Sequence, residues 1–564
     1  MRLDPRRSCL PVLLALLALP SSLLGQGAGA FGPETEARID AVFEHMDSTH
    51  TPGCALSVME EGRPVYLQGY GMANLEYDIP ISPSSIFHVA SVSKQFTAFA
   101  VSLLVAEGLV SWEDDIREYV PEVPDFGETI TLRHLVNHTS GIRDQWSLLG
   151  MAGWRFESDV ITQADVLEIT SRQTALNFPV GDRYLYSNTG FTLLAVVVER
   201  ISGQTLKEFT QERMFGPLGM ADTHFHDNHN TIVPNRAYAY APLNREEYRI
   251  SIPDFDVVGA TSLHTTVADM ARWDRNFYTA EVGGPDVLEG MHERGILRSG
   301  DTIGYALGLS HGRYRGLPTV GHGGADAGYR SQFLRFPEQN VSLAVLCNFP
   351  SSGPGALAQR VADVVLEDAF PEPLPDPDAA EAEEEEEEEP DPVPLTEAEL
   401  QELAGFYTNE FNDRPLNLRE KEGHLFLDGQ ARLIHEGEWV FRPDGEDRTV
   451  QWLKAADGTI SFTTPDGITH VRRPSVDADS VDLEVYVGRY WSEELGVEYE
   501  ARVEEDRLFF TNRKTGERNL FPTFLDGFGA RGEAVTFFRD ASGAVAGFTM
   551  SSGRVWKVRF ERVG

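Results

Sequence analysis

Residues 87–108 read FHVASVSKQFTAFAVSLLVAEG, and they decide the reading of the whole chain. Phe96, Phe99, Ala100, Leu103 and Leu104 recur at helical spacing. Gly108 follows as a C-terminal stop. Ser91 therefore sits at a helix start, with Lys94 one turn later on the same face. A serine hydroxyl is a weak nucleophile until a base takes its proton. A lysine serves as that base only when burial and nearby positive charge lower its pKa. The helix start also offers backbone N–H groups to a developing oxyanion. Taken alone, S-x-x-K is common, and an exposed Ser/Lys pair reads the same way.

Two further motifs lie downstream. Tyr186-Ser187-Asn188 precedes an apolar helical run, residues 191–201, that ends near Gly203. A tyrosine hydroxyl beside an ammonium can shuttle protons. The Asn188 amide can hold a substrate carbonyl and contact the lysine as well. Gly321-His322-Gly323-Gly324-Ala325 precedes a strand-like run, residues 330–336. Glycines there let a substrate backbone lie along a strand edge, with the His322 imidazole beside the cleft.

The order S-x-x-K, Y-x-N, H-x-G, with spacings of 95 and 136 residues, resembles the serine β-lactamase and penicillin-recognising hydrolase superfamily. The branch is that of class C β-lactamases, D-aminopeptidases, D,D-carboxypeptidases and related esterases. Other stretches carry the likeness too: residues 52–58 and 69–74 as the first sheet strands, residues 130–141 as the H-T-S-G segment, and residues 259–273 as a Ser/Thr-rich turn into a helix. The resemblance implies an α/β catalytic domain, an antiparallel sheet plus a helical subdomain, over residues 31–370. It implies Ser91 as the acylated nucleophile, Lys94 as general base and Tyr186 as partner in proton transfer. The oxyanion hole falls to the N–H groups of Ser91 and Ala325. Asn188, His322, Gly323 and Gly324 fall to substrate binding, and His138 and Ser140 to orienting loops near the cleft. No metal and no cofactor is implied.

One departure bears on substrate. Many relatives carry Lys where this chain has His322. Histidine is only partly charged near neutrality, which disfavours anionic β-lactams and favours peptidase, amidase or esterase chemistry. The expected function is an exported serine hydrolase of amide or ester bonds, D-aminopeptidase or D-Ala-peptidase-like, acting on small peptide, amide or ester substrates, cell-wall peptides among the candidates. A β-lactamase or carboxylesterase is the enzymatic alternative. A penicillin-binding sensor, or a protein binding through its C-terminal barrels, is the other.

The N-terminus has Arg2, Arg6 and Arg7, an apolar run over residues 10–24, and small residues Ala28, Gly29 and Ala30. This is the pattern of a signal peptide over residues 1–30, and it predicts a periplasmic or secreted protein. Of three cysteines, Cys9 falls in that segment, leaving Cys54 and Cys347. The family fold places their strands side by side. Register decides between a disulfide and two buried free thiols, and the free thiols are the expectation.

Residues 371–395 are rich in proline and acid and read as a solvated linker. The remainder reads as all-β, with short alternating runs separated by Asp-Gly turns. It repeats: Gly405-Phe406-Tyr407 recurs at Gly488-Arg489-Tyr490, and Leu425-Phe426-Leu427 at Leu508-Phe509-Phe510, both 83 residues on. Two β-barrel modules, residues 396–475 and 476–564, follow; one larger barrel built from both copies is the alternative. Some D-aminopeptidases carry two such barrels after the catalytic domain.

At 564 residues and 41% hydrophobic content the chain has ample material for several cores. Its net charge is −40, and −28 without the twelve acidic residues between Glu372 and Asp391. Such a chain repels phosphate backbones, so nucleic acid is excluded as a partner. Nothing beyond the N-terminal run is apolar enough to span a membrane.

Overall fold

The computed structural model describes residues 31–46, 48–244, 247–371, 393–444, 448–464, 467–474, 476–477, 480–530 and 532–563. The expected signal peptide and nearly all of the acidic linker lie outside the described residues.

A six-stranded antiparallel sheet organises the first unit. Its order is Ser310–Tyr314, Leu317–Asp326, Tyr329–Phe336, Val341–Cys347, Cys54–Glu60, Arg63–Tyr70. The two central strands, CALSVME and VSLAVLC, are buried along almost their whole length, because both faces are covered. Side chains alternate across a strand. Leu56, Val58, Leu343 and Val345 meet the Pro33–Phe43 and Pro354–Val365 helices through Ile39, Phe43, Leu357 and Val361. Ala55, Met59, Ala344 and Leu346 join the core that holds the Ser93–Ala106 and Val267–Thr279 helices. The first of these helices is enclosed by the second, through Phe96 and Phe99 against Trp273, and by the Asn188–Ser202 helix, which explains its near-absence of charge. Gly203, in the left-handed region at φ 72°, ends the latter helix as expected. Among the described residues no helix is long and apolar enough to cross a membrane.

The cysteines correct an expectation. Cys54 and Cys347 are direct register partners in the central sheet and form a disulfide, not two free thiols. The sequence brought the two strands together; the in-register pairing that only tertiary structure sets brought the sulfurs together.

The C-terminal part forms two closed eight-stranded barrels, one from Gly405–Asn409 to Thr469–Arg472 and one from Gly488–Ser492 to Val555–Val563. The duplication is visible in detail. Tyr407 and Tyr490, 83 residues apart, each donate a 2.7 Å hydrogen bond to the carbonyl four residues earlier. Gly405 and Gly488 each lie against the guanidinium of the closing strand, Arg472 and Arg562. Aromatic side chains fill both interiors: Tyr407, Phe441, Trp452 and Phe462 in the first, and Tyr490, Tyr499, Phe510, Phe537, Phe548 and Phe560 in the second. These are packed cores of the kind eight strands enclose.

The second barrel is docked on the helical subdomain. Its core is continuous with Leu148, Leu149, Met151, Ile161, Val166 and Ile169. Arg143 and Glu494 form an ion pair across the junction with only 3% of each side chain exposed. Arg143 also donates to the Trp556 carbonyl at 2.8 Å, and the Tyr499 hydroxyl to that of Met151 at 2.8 Å. Asn177 brackets the hairpin turn at residues 552–555, donating to the Arg554 carbonyl at 3.0 Å and accepting from the Trp556 N–H at 2.9 Å.

Candidate active site

The turn that carries Ser91 is over-determined. Ala90 has φ 47°, a left-handed conformation unusual for a residue with a Cβ. It is held because Ser93 Oγ donates to its carbonyl at 2.5 Å and accepts from the Leu263 N–H at 3.0 Å, while Ser331 Oγ donates to the Val89 carbonyl at 2.8 Å. Gly324 permits this approach: a Cβ there would stand 2.3 Å from both Ser331 Oγ and the Val89 carbonyl oxygen. Ser91 follows in a short 3-10 turn, Ala90–Val92, and the α-helix begins at Ser93.

Lys94 is fully buried. Its Nζ lies 3.1 Å from Ser91 Oγ, 2.8 Å from Asn188 Oδ1 and 2.7 Å from the Ala260 carbonyl oxygen. Two of these partners can only accept. A neutral amine satisfies both with its two N–H groups and leaves its lone pair facing the Ser91 hydroxyl. Burial, then the positive charge of Arg554, push the Lys94 pKa well below its ordinary value; Asp144 opposes the shift.

Asn188 opens its helix and is fixed by Asp144. One carboxylate oxygen of Asp144 caps the Gln145–Met151 helix, accepting from the Trp146 and Ser147 N–H groups. The other accepts from Asn188 N and Nδ2, each at 2.8 Å. The amide is thereby oriented with its oxygen on Lys94. One Nδ2 hydrogen stays available toward the cleft.

Tyr186 is half-buried with its hydroxyl enclosed, and its ring lies 4.8 Å from Lys94 Nζ. Burial raises its pKa strongly, with Ser91 pulling the other way, so the phenol keeps its proton. His138, from the H-T-S-G segment, packs its ring 4.2 Å from that of Tyr186 and accepts from the Ser187 N–H at 3.1 Å. Ser140 accepts from the Ile142 N–H at 3.3 Å. Both hydrogen bonds lie within the loops that border the cleft.

His322 lines the cleft, but both ring nitrogens are engaged within the protein. Nδ1 lies 2.6 Å from the Gly323 carbonyl oxygen, so it carries the hydrogen; Nε2 accepts from the Tyr305 hydroxyl at 3.0 Å. Burial and Lys94 push its pKa down to about 4. The imidazole is neutral at pH 7.

The cleft encloses about 570 Å³ and brings together Ser91, Tyr186, Asn188, His322, Gly323, Gly324 and Ala325. Lys94 stands directly beneath it. Sequence reasoning missed Arg554, which comes from the second barrel into the same wall. Its guanidinium stands 5.1 Å from the Tyr186 ring and 3.5 Å from Asp144 Oδ2. No motif marks it, since a hairpin arginine is unremarkable until the barrel is docked. Arg330, Asp326, Trp146 and Phe255 complete the polar and aromatic walls. Also passed over were His224, His226 and His264, whose ligand atoms lie within 4.8 Å of one another on the small sheet that includes Phe87–His88; the H-x-H at 224–226 was the available signal.

The family model described as Beta-lactamase matches residues 39–366. Penicillin-binding protein 4* of Bacillus subtilis (strain 168) is 28% identical over 326 residues, 55% of this chain and 71% of its own. A D-aminopeptidase of Gluconobacter oxydans (strain 621H) is 26% identical over 334 residues, 59% of this chain and 62% of its own. The match thus spans less than two thirds of that relative. Among solved structures, the octameric penicillin-binding protein homologue from Pyrococcus abyssi superposes with TM-score 0.51 at 21% identity, covering 85% of this chain and 98% of that one.

Proposed function

This chain belongs to the Beta-lactamase family, and we propose that it hydrolyses amide bonds of small peptides through an acyl-enzyme on Ser91. The observation that carries the reading is the set of three contacts around Lys94, which satisfies a neutral amine and aims its lone pair at Ser91 Oγ. Lys94 takes the Ser91 proton as Oγ attacks the carbonyl carbon. The N–H groups of Ser91 and Ala325 receive the oxyanion. The proton passes through Tyr186 to the leaving amine as the C–N bond breaks. Water then attacks the ester, giving its proton back along the same route, and Ser91 is freed.

Short D-amino-acid peptides are the substrate class; the D-aminopeptidase relative supports the D-residue and the amide bond, and the charges lining the cleft decide which end of the peptide is read. A specific observation shapes this choice. His322 supplies no charge; Arg554, Arg330 and Asp326 line the cleft, and Asp326 is engaged with His88 and Thr261. Arginine pairs well with carboxylate, so substrates bearing a free carboxylate near the scissile bond fit better than those presenting a free amine. Export belongs to the same reading: the N-terminal pattern is that of a signal peptide, and the Cys54–Cys347 disulfide suits an oxidising compartment.

The test is steady-state hydrolysis of D- and L-alanine p-nitroanilides, N-acyl-D-alanyl-D-alanine, a chromogenic cephalosporin and p-nitrophenyl butyrate. Ser91→Ala runs beside the parent, with labelling by a serine-reactive phosphonate. Turnover and labelling that persist in Ser91→Ala overturn the mechanism. Turnover of the ester alone overturns the peptide assignment.

A further inference from the structure

Three short strands stand behind the nucleophile turn, in the order Phe87–His88, Leu263–Thr265, His224–Phe225. His264 is the register partner of His224 on one side and of His88 on the other. His226 lies two residues beyond His224, and its N–H donates to the Ser262 carbonyl at 2.8 Å, which continues the pairing. Residues two apart on a strand, and residues directly opposite, share a face. Three imidazoles therefore stand together on one face.

The geometry points to a metal site in which His224, His226 and His264 bind a divalent ion of the zinc class, with the fourth position left to water or an anion. Their ligand atoms lie within 4.8 Å of one another. Tetrahedral zinc with Zn–N bonds of about 2.0–2.1 Å needs them roughly 3.3 Å apart, a gap that side-chain rotation closes. His226 is 95% buried, yet neither ring nitrogen has a hydrogen-bond partner. A buried polar group is seldom left so. In His264, Nδ1 lies 3.3 Å from the Ser262 carbonyl oxygen, an arrangement that places the hydrogen on Nδ1 and leaves the Nε2 lone pair free. Zinc-ligating histidines are commonly oriented by such a carbonyl.

The space fits one ion and little else. His226 and His264 line a cavity of about 20 Å³, with His88, His229 and Arg236 also around it and His224 outside it; it has room for one water-sized species and is too small for an organic ligand, so the His224 ring must rotate to reach an ion placed there. Three imidazoles with no thiolate suit zinc, copper or nickel better than calcium or magnesium. Two cations stand near. Lys207 is paired with Asp227 at 2.8 Å. Arg236 lines the cavity, which favours an anion or hydroxide at the fourth position. Phe255 lines both this cavity and the catalytic cleft and separates them. The ion would therefore act by pinning the strand that leads through His88 to Ser91, not by touching substrate.

The test uses the full chain, stripped with chelator, reloaded with zinc in the presence of excess magnesium to occupy the acidic linker, and desalted. One zinc per chain should be retained, and cobalt should give the intense visible bands of a tetrahedral ion. Zinc should raise Tm by several degrees. In His226→Ala and in the less buried His224→Ala, zinc affinity should fall by more than the ~10–100-fold that loss of an outer partner costs, and the Tm response should vanish. Equal zinc retention by parent and variants overturns the site, as does a weak octahedral cobalt spectrum in the parent. The parent's stoichiometry and spectrum decide the matter even where a variant fails to fold.

Discussion

The guanidinium of Arg554, on a hairpin of the second barrel, stands 5.1 Å from the ring of Tyr186 in the catalytic domain. The barrel thereby contributes a wall of the cleft and a charge that acts on the base. Two effects should separate on mutation. In Arg554→Gln, KM for carboxylate-bearing peptides should rise about tenfold, the cost of one charge-assisted contact, while neutral anilides change little. The second effect is on pH. Lys94 works as a base only when neutral, so activity rises with pH as it loses its proton. Arg554 lowers the Lys94 pKa, and its removal should move the acidic limb of kcat/KM to higher pH. Equal losses on charged and neutral substrates, with an unmoved limb, would contradict this.

Lys94→Ala should lower kcat by about 10²–10⁴, the range for loss of a positioned general base. Asn188→Ala should cost less directly, but it frees both Lys94 Nζ and the Asp144 carboxylate from their shared partner. The Lys94 pKa should shift as a result, so its pH profile, not its kcat alone, is the informative measurement.

The motifs that carry the chemistry were legible because each is local. Ser91 and Lys94 share a helix face, Asn188 opens its own helix, and Gly324 sits where a strand must clear the Val89 carbonyl. What joins distant stretches was not legible. Arg554 meets Tyr186 only after the barrel docks through Arg143 and Glu494, and a surface arginine carries no mark of that. The cysteine pairing turned on one residue of register between the Cys54–Glu60 and Val341–Cys347 strands, which neither strand's own sequence specifies. His322 was legible as a cleft residue. Its neutrality was not, because the burial that lowers its pKa exists only once the cleft is packed around it.

The disulfide should matter for stability more than for catalysis. It closes a loop of 293 residues, and the chain-entropy model assigns such closures up to about 5 kcal/mol, an upper figure that residual unfolded structure reduces. Cys54→Ser/Cys347→Ser should melt at least several degrees lower and keep near-parental kcat. Thiol titration of a denatured chain beginning at Phe31 should find no free thiol before reduction and two after it.

Acid should destabilise the fold in a defined window. Burial pushes His322 and His292 down to about 4, against an ordinary value near 6.5. Between these values the unfolded chain binds more protons than the native one, so stability falls as pH drops from about 6.5 toward 4. Above that window both states hold neutral imidazoles and the contribution is flat. Tm measured against pH should show this slope, and His292→Gln, which lies outside the cleft, should flatten part of it.

The Arg143–Glu494 pair ties the barrel's position to the chemistry. Both side chains are almost fully buried, and Thr174 Oγ1 also donates to Glu494 at 3.0 Å. Removing one partner of a buried pair strands the other charge, at about 3–5 kcal/mol. Glu494→Ala should therefore leave the hydrolase domain folded but weaken barrel docking. Arg554 then leaves the cleft with the hairpin, so the variant should reproduce the substrate and pH signatures of Arg554→Gln without touching the cleft itself. Limited proteolysis should find the junction more open at the same time. If Glu494→Ala loosens the barrel yet keeps the parental preference for carboxylate substrates, that preference does not come from the barrel, and Arg330 on the opposite wall becomes the cation to test.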